Sequence, residues 1–370
     1  MPDYTKQSHS PITISLCMIV KNEEATIERC LQSVEQICDE IIIVDTGSTD
    51  KTKELVSKFT NNIFDFEWID DFAAARNYAF SKATQEYILW MDADDVFLSQ
   101  DLQELVKLKA NLSREFDVVS MLYNLTFDQF RRVSSQLRRS RLVKREKKFR
   151  WIGAVHEYLD VSGTHLQTMI AVTHQPLGHD NERNLRIYER RQLKGEAFSP
   201  RDLYYFANEL RDHKRYDQAI EYYQKFLATS QGWIEDNIGA CARLADCYYQ
   251  LNDIENELKA IYLSFQYDIP RADFCCRLGF YHLNNEQLKQ AIFWYKLATQ
   301  LGIENSSWGL VNHRCATWLP HLQLCVCYSR LGEYKLAYEH NEIAAKFIPD
   351  EPLIEHNRKL LQDYLGNEPR

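Results

Sequence analysis

Tyr87-Ile88-Leu89-Trp90-Met91-Asp92-Ala93-Asp94-Asp95 decides how this chain reads. Its first five residues form a continuous apolar run, the pattern of a strand buried on both faces. Three carboxylates follow at once. A strand that ends in clustered acids places hard oxygen donors at the edge of a sheet. There they suit Mg²⁺ or Mn²⁺ and, through the ion, a diphosphate. Surface turns also produce Asp-x-Asp, so the motif takes its weight from its surroundings.

Those surroundings alternate. The apolar runs predict strands over Ile12–Val20, Glu40–Val44 and a short Ile63–Phe66. Amphipathic segments predict helices over Glu23–Val34, Thr49–Phe59, Phe72–Ala83 and Asp101–Ala110. Strands separated by helices of this length imply βαβ units and a mostly parallel sheet. In such sheets a ligand sits beyond the carboxyl ends of the strands. Polar clusters fall at those ends: Lys21-Asn22-Glu23-Glu24, then Asp45-Thr46-Gly47-Ser48-Thr49-Asp50, then Asp92 to Asp95. Three loops are expected to meet at one crevice.

From about Ser199 the period changes. An aromatic or apolar residue stands three places before an alanine-like site at Tyr216/Ala219, Leu288/Ala291 and Tyr334/Ala337, with a weaker Ile254/Glu257 between them. Leu331-Gly332-Glu333-Tyr334 supplies a glycine turn between two helices, and Pro349 stops the last one. This half resembles tetratricopeptide repeats, whose helix pairs stack into a curved solenoid with a concave face. The aromatic stripe Tyr204, Tyr205, Tyr222, Tyr223, Trp294 and Tyr295 reads as inter-helix core or as a ligand-facing set. The expected division is a flexible tail over 1–11, a nucleotide-binding domain over 12–198 and a helical repeat domain over 199–370.

Composition narrows the function. With 44 basic and 53 acidic residues the net charge is −9, which argues against bulk nucleic-acid binding. No run approaches the roughly 18 apolar residues of a membrane span, and Met1 to Pro11 lacks an apolar signal core. A cytoplasmic protein is the expectation. The ten cysteines show no disulfide spacing and read as reduced core thiols, and Cys325-Val326-Cys327 makes a poor metal pair.

Cys17-Met18-Ile19-Val20-Lys21-Asn22-Glu23-Glu24, Ile43-Val44-Asp45-Thr46-Gly47-Ser48-Thr49-Asp50, Ala75-Arg76-Asn77 and Asp92-Ala93-Asp94-Asp95 together resemble family 2 glycosyltransferases of the α/β GT-A fold. The likeness covers roughly residues 12–178. With the repeats behind it, the whole chain resembles bacterial tetratricopeptide-containing family 2 enzymes, among them those that modify flagellin and bacteriocin peptides. The resemblance implies an inverting, metal-assisted transferase that moves a sugar from a UDP-sugar to a protein or peptide acceptor, at a Ser/Thr hydroxyl or a Cys thiol. The alternatives are a transferase acting on a glycan or lipid-linked acceptor and a non-catalytic nucleotide-binding repeat scaffold. The repeats would hold the acceptor and also offer a face for a homodimer.

It further implies roles by motif position. Asp94 would ligate Mn²⁺ or Mg²⁺, and Asp92 would reach the ribose or complete the metal shell. Asp95 would join them or cap the next helix. His174 resembles the late histidine of the metal shell, with His179 its nearest rival. Val20, Asn22, Glu24, Asp45, Thr46, Arg76 and Ala93 would surround the nucleotide sugar. Many members carry a second Asp where this chain has Thr46, which leaves the uracil contact open. Arg131 to Trp151 holds ten basic residues and one acid. It reads either as a solvated hairpin or as part of the anionic donor site, Arg141 above all. Glu157 resembles the catalytic base, with His156 beside it to orient substrate or phosphate, and Asp160 and Asp180 are the nearest other acids.

Overall fold

The computed structural model describes residues 10–127, 133–177, 182–301 and 311–366. The tail up to residue 9, His179 and Asp180 lie outside the described residues. The chain divides into two compact units, residues 1–126 with 136–209, and residues 127–135 with 210–370.

The first unit is an α/β layer structure. In chain order it runs β1 (Ile14–Val20), α1 (Ile27–Gln32), β2 (Glu40–Asp45), α2 (Thr52–Val56), β3 (Ile63–Asp65), α3 (Phe72–Lys82), β4 (Tyr87–Trp90), β5 (Asp95–Phe97), α4 (Ser99–Asn111), β6 (Val118–Phe127), β7 (Val133–Lys144), β8 (Arg150–Ile152), β9 (Tyr158–Asp160), β10 (His165–His174), α5 (Arg183–Leu193) and α6 (Pro200–Asp212). Successive side chains of β1 go to opposite faces, as the pleat requires. Ile14, Leu16, Met18 and Val20 join one core, and Cys17 joins the other. β4 divides the same way, Tyr87 and Leu89 against Ile88. Both faces are covered, which is why these strands read as unbroken apolar runs.

The main sheet has the order β3-β2-β1-β4-β7-β6-β10-β5. β1 is parallel to both β2 and β4, and β2 to β3. The carboxyl ends of β1, β2 and β4 therefore emerge along one edge, at Val20, Asp45 and Trp90. β10 is parallel to β6 as well, while β7 runs antiparallel to β4 and β5 antiparallel to β10. The sheet is therefore mixed, with parallel pairs along its β3-β2-β1-β4 half. The basic stretch is also not a solvated hairpin. Most of it is β7, an inner strand whose Leu142 and Val143 are core and whose Arg138 and Arg141 are buried. Arg138 is accommodated there by donating to the Thr168 carbonyl at 2.6 Å.

The second unit holds α7 (Tyr216–Ala228), α8 (Ile234–Gln250), α9 (Ile254–Ser264), α10 (Ala272–Asn284), α11 (Leu288–Gln300), α12 (His313–Ala316), α13 (Trp318–Arg330), α14 (Tyr334–Ala345) and α15 (Pro352–Gly366). α8 packs on α9, α10 on α11, and α13 on α14 as antiparallel pairs. Ala219, Ala291 and Ala337 are fully buried at the small-residue sites. Gly279 has the same function in α10, because a Cβ there would meet the Tyr295 ring of α11 at 2.7 Å. Tyr204, Tyr223 and Tyr295 are core and Trp294 packs against it, so four of the six stripe residues are packing.

A backbone signature marks the repeats. Lys214, Asn252, Glu286 and Gly332 all have φ between 56° and 76°. Each lies two residues before the helix that starts at Tyr216, Ile254, Leu288 or Tyr334. Every repeat thus turns through one left-handed residue, and only the last uses glycine for it. All ten cysteines are free, and no helix among the described residues is long and apolar enough to cross a membrane.

Candidate active site

The polar loops at the carboxyl edge of the sheet surround a cavity of about 570 Å³ in the first unit. Its floor comes from β1 and β4. Val20, Asn22 and Thr46 line one end, and Asp92, Ala93 and Asp94 line the middle. The first two loops are held together by hydrogen bonds. Thr46 donates to the Val20 carbonyl through both N and Oγ1, Asn22 N to Ser48 Oγ, and Thr49 N to Asn22 Oδ1. Glu24 belongs to this lacing: it is exposed, accepts from Lys51 N at 3.0 Å and does not line the cavity. Asp45 is buried and caps the loop by accepting from Gly47 N and Ser48 N at 2.9 and 2.8 Å. Its other oxygen, Oδ2, is buried with no hydrogen-bond partner among the described residues.

Asp94, Asp95 and His174 form a compact cluster, with one donor atom from each within 4.8 Å of the others. β10 delivers His174 beside the acidic turn, and Gln175 N ties to the Asp94 carbonyl at 2.8 Å. His174 Nδ1 lies 3.5 Å from Asp94 Oδ1 and 3.3 Å from Asp95 Oδ1. Burial works against charge on this imidazole, but hydrogen bonds to the two carboxylates prevail and push it up to about 10. The three residues are not equivalent. Asp94 and His174 line the cavity, whereas Asp95 is fully buried beneath it. Asp95 accepts from Tyr123 Oη at 2.8 Å and pairs with Arg141 Nη2 at 3.0 Å. Arg141 is likewise fully buried, its guanidinium 4.0 Å from the Trp90 ring centroid and 4.5 Å from that of Tyr123. It sits behind the wall as the counter-charge to Asp95 and does not reach the cavity.

Arg76 connects the remaining acids. From α3 it lies between the rings of Trp90 and Trp151, at 5.2 and 4.8 Å. Nη2 donates to Asp92 Oδ1 at 2.6 Å and Nε to Glu157 Oε1 at 2.5 Å. Burial opposes ionisation of Asp92, but Arg76 and then Arg141 outweigh it and bring its carboxyl down to about 2. Both partners come from elements other than α3, so neither contact is an intrahelical salt bridge.

The far wall belongs to residues that the sequence motifs do not include. Arg183 and Asn184 of α5 and Arg201 and Tyr205 of α6 all line the cavity. His156 faces them with a left-handed backbone, φ 50°. Its ring stacks on Tyr205 at 4.4 Å, and its Nε2 is 2.6 Å from Glu209 Oε1. No local sequence signal links these residues, because Glu209 and His156 are 53 positions apart.

Residues 15–162 match the family described as Glycosyl transferase family 2. That segment is a family 2 glycosyltransferase domain. The chain is also similar to the SPbeta prophage-derived glycosyltransferase SunS of Bacillus subtilis, 28% identical over 236 residues, covering 60% of this chain and 54% of SunS. A TPR repeat-containing protein of Synechococcus elongatus is 42% identical over 92 residues, 25% of this chain and 23% of that protein. The chain thus spans about half of SunS and about a quarter of the cyanobacterial protein. Among solved structures, S. aureus TarS aligns over 67% of this chain and 55% of its own, with 15% identity and a TM-score of 0.38. MamA aligns over 45% of this chain and 82% of its own, with 17% identity and a TM-score of 0.37. The family 2 match and the repeat-like helices thus occupy successive parts of the chain.

Proposed function

We propose that this glycosyltransferase moves a sugar from a UDP-sugar to a protein or peptide acceptor with inversion at C1. The observation that carries the reading is the row Asp92, Ala93, Asp94 and His174 along a cavity floored by parallel strand ends. Oxygen donors and an imidazole held within 4.8 Å fit a hard divalent ion. Asp94 and His174 would hold Mn²⁺ or Mg²⁺, which supplies charge neutralisation for a diphosphate leaving group. Asp95 does not reach the cavity and orients His174 from beneath.

The rest of the wall suits the same donor. Lys21, Arg76, Arg139, Arg183 and Arg201 line the cavity and favour an anionic ligand. Asp45 at the end of β2 is buried and does not line the cavity, so its support is indirect, through the loop that carries Thr46. The helix pairs of the second unit support a polypeptide acceptor, because stacked repeats suit an extended segment. A cytoplasmic setting, where sugar nucleotides are made, accords with this reading.

The test incubates purified protein with UDP-sugars, Mn²⁺ and candidate acceptor proteins, followed by UDP release and intact mass. A sugar-sized mass gain that requires Mn²⁺ is the expected result. A protein that releases no UDP from any UDP-sugar would overturn the reading.

A further inference from the structure

Transfer with inversion needs a group that takes the proton from the acceptor's hydroxyl or thiol as it attacks C1. Glu157 occupies the position expected for it, yet its Oε1 is locked to Arg76 Nε at 2.5 Å, inside a wall where its side chain is 11% exposed. That oxygen is already taken as a hydrogen-bond acceptor by the guanidinium, which is itself held by Asp92. Its neighbour is built differently.

His156 lines the same cavity, and its ring is fixed on two sides, by stacking on Tyr205 and by Glu209. Arg201 secures its backbone, donating to the His156 carbonyl from Nε and Nη2 at 3.1 and 2.9 Å. Glu209 Oε1 also accepts from Asn184 Nδ2 at 3.1 Å. An ionised carboxylate only accepts, so His156 Nε2 carries the hydrogen in this pair. The lone pair is then on Nδ1, which has no partner among the described residues. A carboxylate that orients one ring nitrogen while the other is open is the arrangement of a histidine base. A left-handed backbone at a residue with a side chain persists where the surroundings impose it.

We propose that His156 is the general base of this glycosyltransferase and that Glu209, beyond the family 2 segment, is its positioning residue. The proposal rests on the transferase reading above. The acceptor O–H or S–H gives its proton to His156 Nδ1 while its oxygen or sulfur bonds to C1. The C1–O bond to the β-phosphate breaks, and UDP leaves with the electron pair. The imidazolium is held by the Glu209 carboxylate and returns its proton to water. Arg76 and Glu157 then serve as a clamp on Asp92.

The test measures UDP release from UDP-glucose and UDP-N-acetylglucosamine with Mn²⁺, with water or sodium azide as acceptor. Azide attacks C1 without losing a proton, so it bypasses a missing base but not a damaged site. His156→Ala should lower water-dependent release by about 10²–10⁴-fold at near-wild-type UDP affinity. Azide should restore release and yield a glycosyl azide seen by mass. Glu209→Gln should lower kcat in the same direction with KM little changed, and azide should restore it too. Azide should not rescue Glu157→Gln. Azide rescue in Glu157→Gln, with His156→Ala within threefold of wild type in water, would overturn the assignment. Loss in His156→Ala that azide does not restore would overturn it as well. A wild-type protein that releases no UDP from either donor fails the transferase reading itself, and this proposal with it.

Discussion

Arg76 donates through Nε to Glu157 Oε1 at 2.5 Å, joining α3 to the loop before β9 across 81 residues of chain. The same guanidinium holds Asp92 at 2.6 Å between two tryptophan rings. Arg76→Ala leaves two acids on a largely enclosed wall without their shared cation. Removing one partner of a buried ion pair costs roughly 3–5 kcal/mol. The Asp92 side chain is 34% exposed, so the lower end of that range applies. Calorimetry should show a clear fall in Tm, with Arg76→Lys intermediate because it keeps charge without the fork. A wild-type Tm in Arg76→Ala would remove the structural role.

Asp94→Ala is expected to abolish metal-dependent turnover while the fold survives. Asp94 stands on the cavity surface, and the buried Asp95–Arg141–Tyr123 arrangement beneath it stays intact. Wild-type protein should lose UDP release in excess EDTA and regain it with Mn²⁺ or Mg²⁺. Full activity in EDTA would rule out the metal assignment.

Much of the first unit was legible because strands covered on both faces leave unbroken apolar runs. β2 and α3 fall within a residue or two of expectation. Helix α1 starts later than the pattern implies, since Glu23 and Glu24 are drawn into the loop lacing by Thr52 Oγ1 and Asp50. Ten basic residues disguised β7 as a surface hairpin. Arginines can occupy an inner strand only where carbonyls, rings or a buried acid receive them, and those partners lie on other strands, β4, β5, β6 and β10. Glu209 was equally hidden, because only folding brings α6 to His156, and Tyr205 showed only as one member of the aromatic stripe. Gly332 announced one repeat turn, but Lys214 and Glu286 adopt the same backbone without a residue type that signals it.

Helices α5 and α6 contribute Arg183, Asn184, Arg201 and Tyr205 to the cavity wall, and Glu209 behind it. A fragment ending at residue 178 lacks all five. It is predicted to lose UDP release even if it remains soluble. A fragment ending at residue 212 keeps them and should still bind UDP, yet lose transfer to protein if the repeats hold the acceptor. Calorimetric titration with UDP and intact mass of the acceptor separate these outcomes. Undiminished protein glycosylation by the longer fragment would remove the acceptor role from the repeats.

His321 of α13 and His340 of α14 meet with their Nδ1 atoms 2.9 Å apart, and the His340 ring lies parallel to Tyr328. Burial lowers both imidazoles. The positive charge that His340 would carry lowers His321 further, to about 4, and Lys296 of α11 acts in the same sense on His340. A folded-state pKa below the unfolded value means that the unfolded chain takes up the proton first. The pair's contribution to stability is therefore complete above about 6.5 and declines as pH falls from there towards 4. Carboxylates titrate in the lower part of that window, so the comparison must be made against a variant. His321→Asn removes one member of the pair and should show a shallower loss of Tm between pH 6.5 and 4.5 than the wild type. Parallel Tm profiles for the two proteins would show that the histidine pair does not couple protonation to the stability of the repeats.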